Sequence, residues 1–424
     1  MRLPVRRELP PPGRVTGSLE IAAGATIVAG TMLSLVSTLV LPRRSQRSAL
    51  EQSYLAGDPE AVREKRWSRV VSSRLATAVW HLSRMLFAGV ETAVCRVYSL
   101  VRKREATPAN VNWVRHRALW LLGPVALITL FALWLGGFLL GYGLILWPIV
   151  GHGFGEAMRM STSSVFTLGF DAPAGLGATL VASFEAATGV FSAALEVSYL
   201  FTLYGHYSRR EQLMRRLEGR AGYPALGPEL LWREHEITAL ETLGSFYAEW
   251  ETWAAEVTEA HLSYPWLLLF RSSDAMQSWV VSLLAVLDSA ALYLALANPE
   301  GELGASQADH CLRMGFTAFR EIALVFGIPV NFDPRPEDEL QLPRGEFLKW
   351  AKRLEEDGFP AKRTLDEAWL HFRGWRVNYE NIAYRLVKEL DTVPAEWTGS
   401  SHPIMVRRPP HRRPAETLRR QTPV

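Results

Sequence analysis

The chain has little of what most enzymes and most cross-linked folds depend on. It contains 2 cysteines in 424 residues, Cys95 and Cys311, and two isolated cysteines support neither a disulfide framework nor a thiolate zinc site. Histidine is sparse and scattered: His261, His310 and His371 form no ligand spacing. His235-Glu236 starts like a zinc-protease helix, but position 239 is Ala, so the second ligand is missing and a surface helix pair is the better reading. Gly151-X-Gly-X-Gly has the glycines of a dinucleotide loop without a preceding strand or a following acidic partner. No alternation of strand and helix patterns occurs, which excludes a Rossmann-type regulatory domain. No nucleophile–base pairing stands out, so the sequence reads as a non-enzyme. A charge excess is also lacking. With 46 basic and 43 acidic residues the net charge is +3, and nucleic acid is not implied. The opening Met1-Arg2-Leu3-Pro4 and the run after it have no small-residue cleavage site, so no cleavable leader is expected.

What the chain does have is long apolar runs beside arginine clusters. Apolar residues make up 48% and mean hydropathy is +0.03, which suits a chain half in membrane and half solvated. Residues 1–16 are rich in Pro and Arg and are expected to be disordered. Segment 19–41 has about the length needed to span a bilayer. It opens a region, 17–116, that also holds the charged stretch 42–66 and an amphipathic segment, 67–101, read as an interfacial helix or a poor span. Two stronger runs follow, 118–147 and 178–204. Trp113 and Trp120 at one end of the first, and Tyr142 and Trp147 at the other, suit the two aromatic belts of a bilayer. Arg102, Lys103, Arg104, Arg115 and Arg117 precede the first run; Arg209, Arg210, Arg215, Arg216 and Arg220 follow the second. Both outer ends of the pair therefore face the cytoplasm. Arg2, Arg6, Arg7 and Arg14 argue against an external N-terminus, so three and four spans both stay open.

Between the two runs lies Ser163-Ser164-Val165-Phe166-Thr167-Leu168-Gly169-Phe170-Asp171. Glu156 to Phe166 has the length of a short helix, whose negative C-terminal end would face a cation. Non-helical backbone at membrane depth is tolerated where it lines a water-filled path. Helix, re-entrant loop and helix with Thr-X-Gly-Phe at the loop's end resembles the pore module of bacterial potassium-channel-like proteins, over residues 117–204. In that family backbone carbonyls from four chains replace an ion's hydration shell, and Gly supplies the backbone angles. The resemblance implies a selectivity filter at Thr167, Leu168, Gly169, Phe170 and Asp171. It implies a homotetramer in the inner (plasma) membrane, crossed several times, with no cofactor beyond a permeant potassium ion, or sodium. Asp171 departs from the family's Thr-X-Gly-Tyr/Phe-Gly pattern: either Asp replaces the second Gly, or that Gly is deleted.

The second run carries Glu185, Gly189, Ser192 and Glu196 in steps of four, three and four, which places them on one helical face. Acidic residues inside a membrane helix usually face a cavity, so the four are expected to line the pore. Glu196 would attract magnesium or polyamines, and Gly189 would act as a hinge. The other reading is that Glu185 braces the short helix and Gly189 permits close packing. Glu-X-X-X-Gly is also similar to the inner helix of two-helix bacterial channels, and with Leu200–Tyr204 and Ser208–Glu211 the resemblance covers roughly residues 118–300.

Residues 205–400 read as a helical cytoplasmic domain. Ile237, Leu240, Leu243, Tyr247, Trp250, Ala254 and Val257 mark one amphipathic helix, and others fall near 307–327, 345–357, 364–372 and 377–391. The apolar run 279–297 contains Asp288 and reads as a buried core helix, with a further span as the alternative. Trp232, Trp250, Trp253, Trp266, Trp279, Trp350, Trp369 and Trp375 are expected to pack in the core. The tail 401–424 is basic, Pro-rich and expected to be disordered, with anionic lipid as the partner of its Arg clusters. The fold expected is thus an all-α membrane protein: a tetrameric pore, an extra N-terminal transmembrane helix and a helical cytoplasmic domain. A non-conducting, membrane-anchored interaction protein working through 205–400 is the alternative. A membrane enzyme with its site in 205–400 is a third class, with no candidate residues.

Overall fold

The computed structural model describes residues 14–39, 108–151, 153–274, 276–297, 303–325, 328–390, 392–393 and 395–399. The expected interfacial helix at 67–101 and the basic tail lie outside these residues. All regular structure among them is helical, with no strand. Four of the helices contain windows long and apolar enough to cross a membrane: Thr16–Val36, Gly123–Val150, Leu176–Ala221 and Trp279–Ala297. The chain divides into two compact units, one of residues 1–100 and 121–204, the other of 101–120 and 205–424.

The first unit is built on α1 (Arg14–Leu39), α2 (Pro108–Val150) from residue 121 on, the short α3 (Phe154–Val165) and α4 (Leu176–Ala221) as far as Tyr204. Helix α1 begins at Arg14, so residues 14–16 of the segment expected to be disordered are helical, and the rest of that segment lies outside the described residues. Helices α1 and α2 run antiparallel at close range. A Cβ on Gly24 would sit 2.4 Å from the Gly141 carbonyl oxygen, and one on Gly137 would sit 2.6 Å from Thr31 Oγ1. Small residues let membrane helices approach to this distance, where dispersion and polar contacts hold them in the absence of a hydrophobic drive. Trp134 Nε1 donates to Ser34 Oγ at 3.1 Å farther along the same seam.

Helix α3 fits between α2 and α4. Leu146, Ala157 and Met160 are buried together, with Trp147, Val150 and Val181 against them. Tyr142 on α2 and Thr188 on α4 share a hydrogen bond of 2.9 Å. Helix α4 does not end near residue 204 as the run of apolar residues suggests. It continues unbroken to Ala221, because Ser208 to Gly219 is dominated by good helix formers and places Leu213, Met214 and Leu217 on one buried face. Gly222, at φ 80°, stops it. The expected domain boundary at 204/205 thus falls inside a helix.

The second unit packs α5 (Gly227–Glu236), α6 (Leu243–Ser263), α7 (Trp279–Ala297), α8 (Leu303–Val325), α9 (Arg344–Glu356), α10 (Leu365–Arg376) and α11 (Glu380–Glu389) around one core. Helix α7 is its centre. Every residue of α7 except Leu294 is buried, and α5, α6, α8, α10 and α11 all touch it. The apolar run 279–297 is therefore a core helix within this unit, as its Asp288 suggests. That aspartate pairs with Arg376 at 2.6 Å, both fully buried. Arg376 also donates to Glu380 (2.9 Å), to Tyr384 Oη (2.9 Å) and to the Trp397 carbonyl (2.9 Å). Tyr379 donates to the other oxygen of Asp288 at 2.9 Å. One guanidinium thus ties α7, α10, α11 and the 395–399 turn, each of its bonds satisfying a group that would otherwise be stranded in the core. Trp250, Trp253, Trp279 and Trp350 are core residues as expected.

Candidate functional site

Helix α3 starts after Gly153 and carries Glu156 in its first turn, where an acid suits the positive end of the helix dipole. Gly155 lies inside this first turn. The helix ends in a Schellman closure. Leu168 N–H donates to the Ser163 carbonyl at 2.8 Å and Thr167 N–H to the Ser164 carbonyl at 2.9 Å. This closure demands a left-handed residue at position 167, and Thr167 takes it at φ 53°. Thr is β-branched, and such a residue in the left-handed region stores roughly 1–3 kcal/mol of strain. Gly169 follows at φ 69°, where glycine has no penalty. The backbone is thus left-handed at 167 and 169 and outside that region at Leu168 between them. Phe166, Leu168 and Phe170 are exposed in the single chain.

Asp171 closes the loop onto the helix. Arg159 Nε donates to Asp171 Oδ2 at 3.2 Å, and the Asp171 amide donates to Ser163 Oγ at 3.3 Å. Glu156 lies 3.6 Å from the same guanidinium. The Asp171 carboxylate is thus tied back to α3 by a cation from that helix.

The polar stripe of α4 divides. Glu185 is buried, and its carboxyl meets Ser161 Oγ of α3. Gly189 faces the end of α3 so closely that a Cβ would sit 2.2 Å from the Val165 carbonyl oxygen. Ser192 is buried with its hydroxyl on the Gly189 carbonyl at 3.0 Å. Glu196 is half-buried. Within the folded chain Glu185, Gly189 and Ser192 are covered, and the contacts of Glu185 and Gly189 are with α3. The contacts of Glu185 and Gly189 are of the bracing and close-packing kind. The uncovered face of α4 is largely apolar: Leu180, Phe184, Ala187, Phe191, Ala194 and Phe201 recur on it, all exposed, with the exposed Ser198 among them.

Sequence reasoning passed over Ser161, Arg159 and Arg210. A run of four hydroxyl residues, Ser161 to Ser164, in a helix flanked by apolar spans was the signal for the first, since such hydroxyls need partners inside the membrane. Arg210 had no signal, being one of several arginines after the apolar run. In the second unit it is buried against the 3₁₀ turn Pro265–Leu269, donating to the Phe270 carbonyl at 2.5 Å and the Leu267 carbonyl at 3.5 Å. His261 lies 3.4 Å from Arg210 through Nε2 and 2.7 Å from the Val257 carbonyl through Nδ1. The proton therefore sits on Nδ1, leaving Nε2 to accept from the guanidinium. Burial, and then the Arg210 charge, push the His261 imidazole down to about 3. Cys311 is buried, and burial raises its thiol well above the usual range, so it is unreactive in the folded chain.

Among the described residues no group of acidic, histidine and cysteine side chains is arranged to hold a metal ion. Comparison with protein-family models, curated proteins and solved structures finds no match to this chain.

Proposed function

We propose that this protein is a cation channel, conducting potassium or, with weaker discrimination, sodium, through a pore formed by four copies in the inner membrane. The observation that carries the reading is the re-entrant element. A 12-residue helix, Phe154–Val165, lies between two long apolar helices and hands the chain to Thr167-Leu168-Gly169-Phe170-Asp171 with left-handed backbone at 167 and 169. Backbone of this kind at membrane depth is stable where it faces water or ions. Thr167 to Asp171 would supply carbonyls and the Thr hydroxyl to a dehydrated cation. Asp171, held by Arg159, would stiffen the outer end of the loop where a second glycine is missing. Glu185 and Gly189 would hold α3 in register rather than line the conduit. Glu196, half-buried and nearer the basic flank, keeps the pore-facing role, and the long extension of α4 into the helical domain would carry gating.

The experiment is cation flux into proteoliposomes, comparing wild type with Gly169→Ala. Gly169 has φ 69° and open space around its Cβ position, so Ala is opposed by backbone strain alone. Loss of flux with intact assembly supports the filter; unchanged flux removes it. A second reading, a non-conducting membrane anchor acting through its helical domain, is favoured by the apolar free face of α4. It predicts no flux from any variant.

A further inference from the structure

Ser161 Oγ touches two oxygens at once. It lies 3.0 Å from the Leu139 carbonyl on α2 and in a shorter contact with Glu185 Oε1 on α4. A serine hydroxyl carries one hydrogen, and a carbonyl oxygen carries none. The Leu139 contact is attractive only if that hydrogen points to Leu139. The hydrogen in the Ser161–Glu185 contact must then come from the carboxyl group. An ionised Glu185 would take the serine hydrogen for itself and leave Ser161 and Leu139 facing each other with lone pairs only. It would also leave Oε2, buried and without a hydrogen-bond partner, bearing charge.

Among the described residues no cation is placed to offset such a charge. From α2 the facing polar group is Tyr142, engaged with Thr188. From α3 they are Ser161 and Ser163, while Arg159 is turned to Glu156 and Asp171. On α4 itself the next acid is Glu196, three turns away. Among the described residues Glu185 is in no ion pair.

We propose that Glu185 holds a proton at neutral pH and donates it to Ser161, so that a relay from Glu185 to Ser161 to Leu139 clasps α4, α3 and α2 together. Loss of the proton opens the clasp. Ser161 then turns its hydrogen to the carboxylate, and its bond to α2 is lost. Helix α3 carries the filter loop through Ser163, whose carbonyl and hydroxyl hold Leu168 and Asp171. The clasp is therefore a positioning device for the loop and makes its geometry sensitive to alkaline pH. The regulatory consequence rests on the channel reading; the protonation does not.

The test is infrared difference spectroscopy of the full chain in lipid nanodiscs, wild type against Glu185→Gln and Ser161→Ala. At neutral pH the wild type shows the carbonyl stretch of a protonated carboxyl group. The band is lost in Glu185→Gln, whose amide still donates to Ser161 and keeps the packing, and it shifts in Ser161→Ala. A spectrum that Glu185→Gln leaves unchanged would show Glu185 ionised and overturn the proposal. A band unmoved in Ser161→Ala would overturn the relay. In proteoliposomes, flux through wild type falls on alkalinisation and this pH dependence disappears in Glu185→Gln; dependence retained in the variant counts against the clasp. Absence of flux from every protein, with the band present, would overturn the channel reading and leave the proton relay standing.

Discussion

Replacing Gly189 by Ala separates a packed glycine from a hinge. On α4 a new Cβ would lie 2.2 Å from the Val165 carbonyl oxygen and 3.1 Å from its carbonyl carbon. Ordinary contact begins near 3.4 Å, so the end of α3 must retreat by 3.4 − 2.2 Å, roughly 1 Å. No rotamer relieves the clash, because the obstacle is backbone. Overpacking of this kind costs ~1–3 kcal/mol, against a helix-propensity gain of ~1 kcal/mol for Ala over Gly. Gly205, on the same helix with nothing near its Cβ position, is the control and receives the gain alone. Thermal unfolding of the full chain in nanodiscs, with limited proteolysis of the 166–175 loop, reads the outcome. Gly189→Ala melts below wild type and exposes the loop, while Gly205→Ala melts at or above wild type. A Gly189→Ala protein as stable as Gly205→Ala would refute close packing on α3 and restore the hinge.

Three further outcomes follow from the structure. Arg376→Met strands Asp288 and Glu380 in the core and lowers the stability of the helical domain by ~3–5 kcal/mol, seen as an early loss of tryptophan fluorescence in denaturant. His261 is held neutral in the fold at about 3, below its unfolded value of ~6.5, so its contribution is complete above pH ~6.5 and is lost as pH falls toward 3. The loss is about 2 kcal/mol by pH ~5, and a His261→Gln variant shows a flatter pH–stability curve. Arg159→Gln releases an exposed pair, leaves melting unchanged and alters the rate or selectivity of flux by freeing Asp171; unchanged flux would show that the pair does not position the loop.

The order of helices was legible because apolar runs and punctuating glycines are local signals. The short re-entrant helix was legible from its composition alone, to within two residues at either end. Helix α6 was legible too, since Leu243, Tyr247, Trp250, Ala254 and Val257 are buried at the spacing the sequence displays. Ile237 and Leu240 fit the same period but precede the helix, because periodicity does not fix an end and α5 stops at Glu236. What the sequence could not give is which neighbour a polar face meets. Glu185 and Gly189 form the same stripe whatever they face, and only the placement of α3 shows that within the chain they meet Ser161 and Val165. The length of α4 was misjudged for a related reason. The apolar stretch stops near Tyr204, but helix propensity and a new buried face carry the helix on to Ala221. Asp288 with Arg376, 88 residues apart (376 − 288), is a tertiary pairing with no local trace.

One measurement bears on the whole functional reading: flux in proteoliposomes of purified full-length protein under separate potassium, sodium and chloride gradients, with Gly169→Ala alongside. A working filter passes potassium, or potassium with sodium, excludes chloride and is silenced by Gly169→Ala. Equal passage of chloride, or cation flux indifferent to Gly169→Ala, would contradict conduction through the Thr167–Asp171 loop.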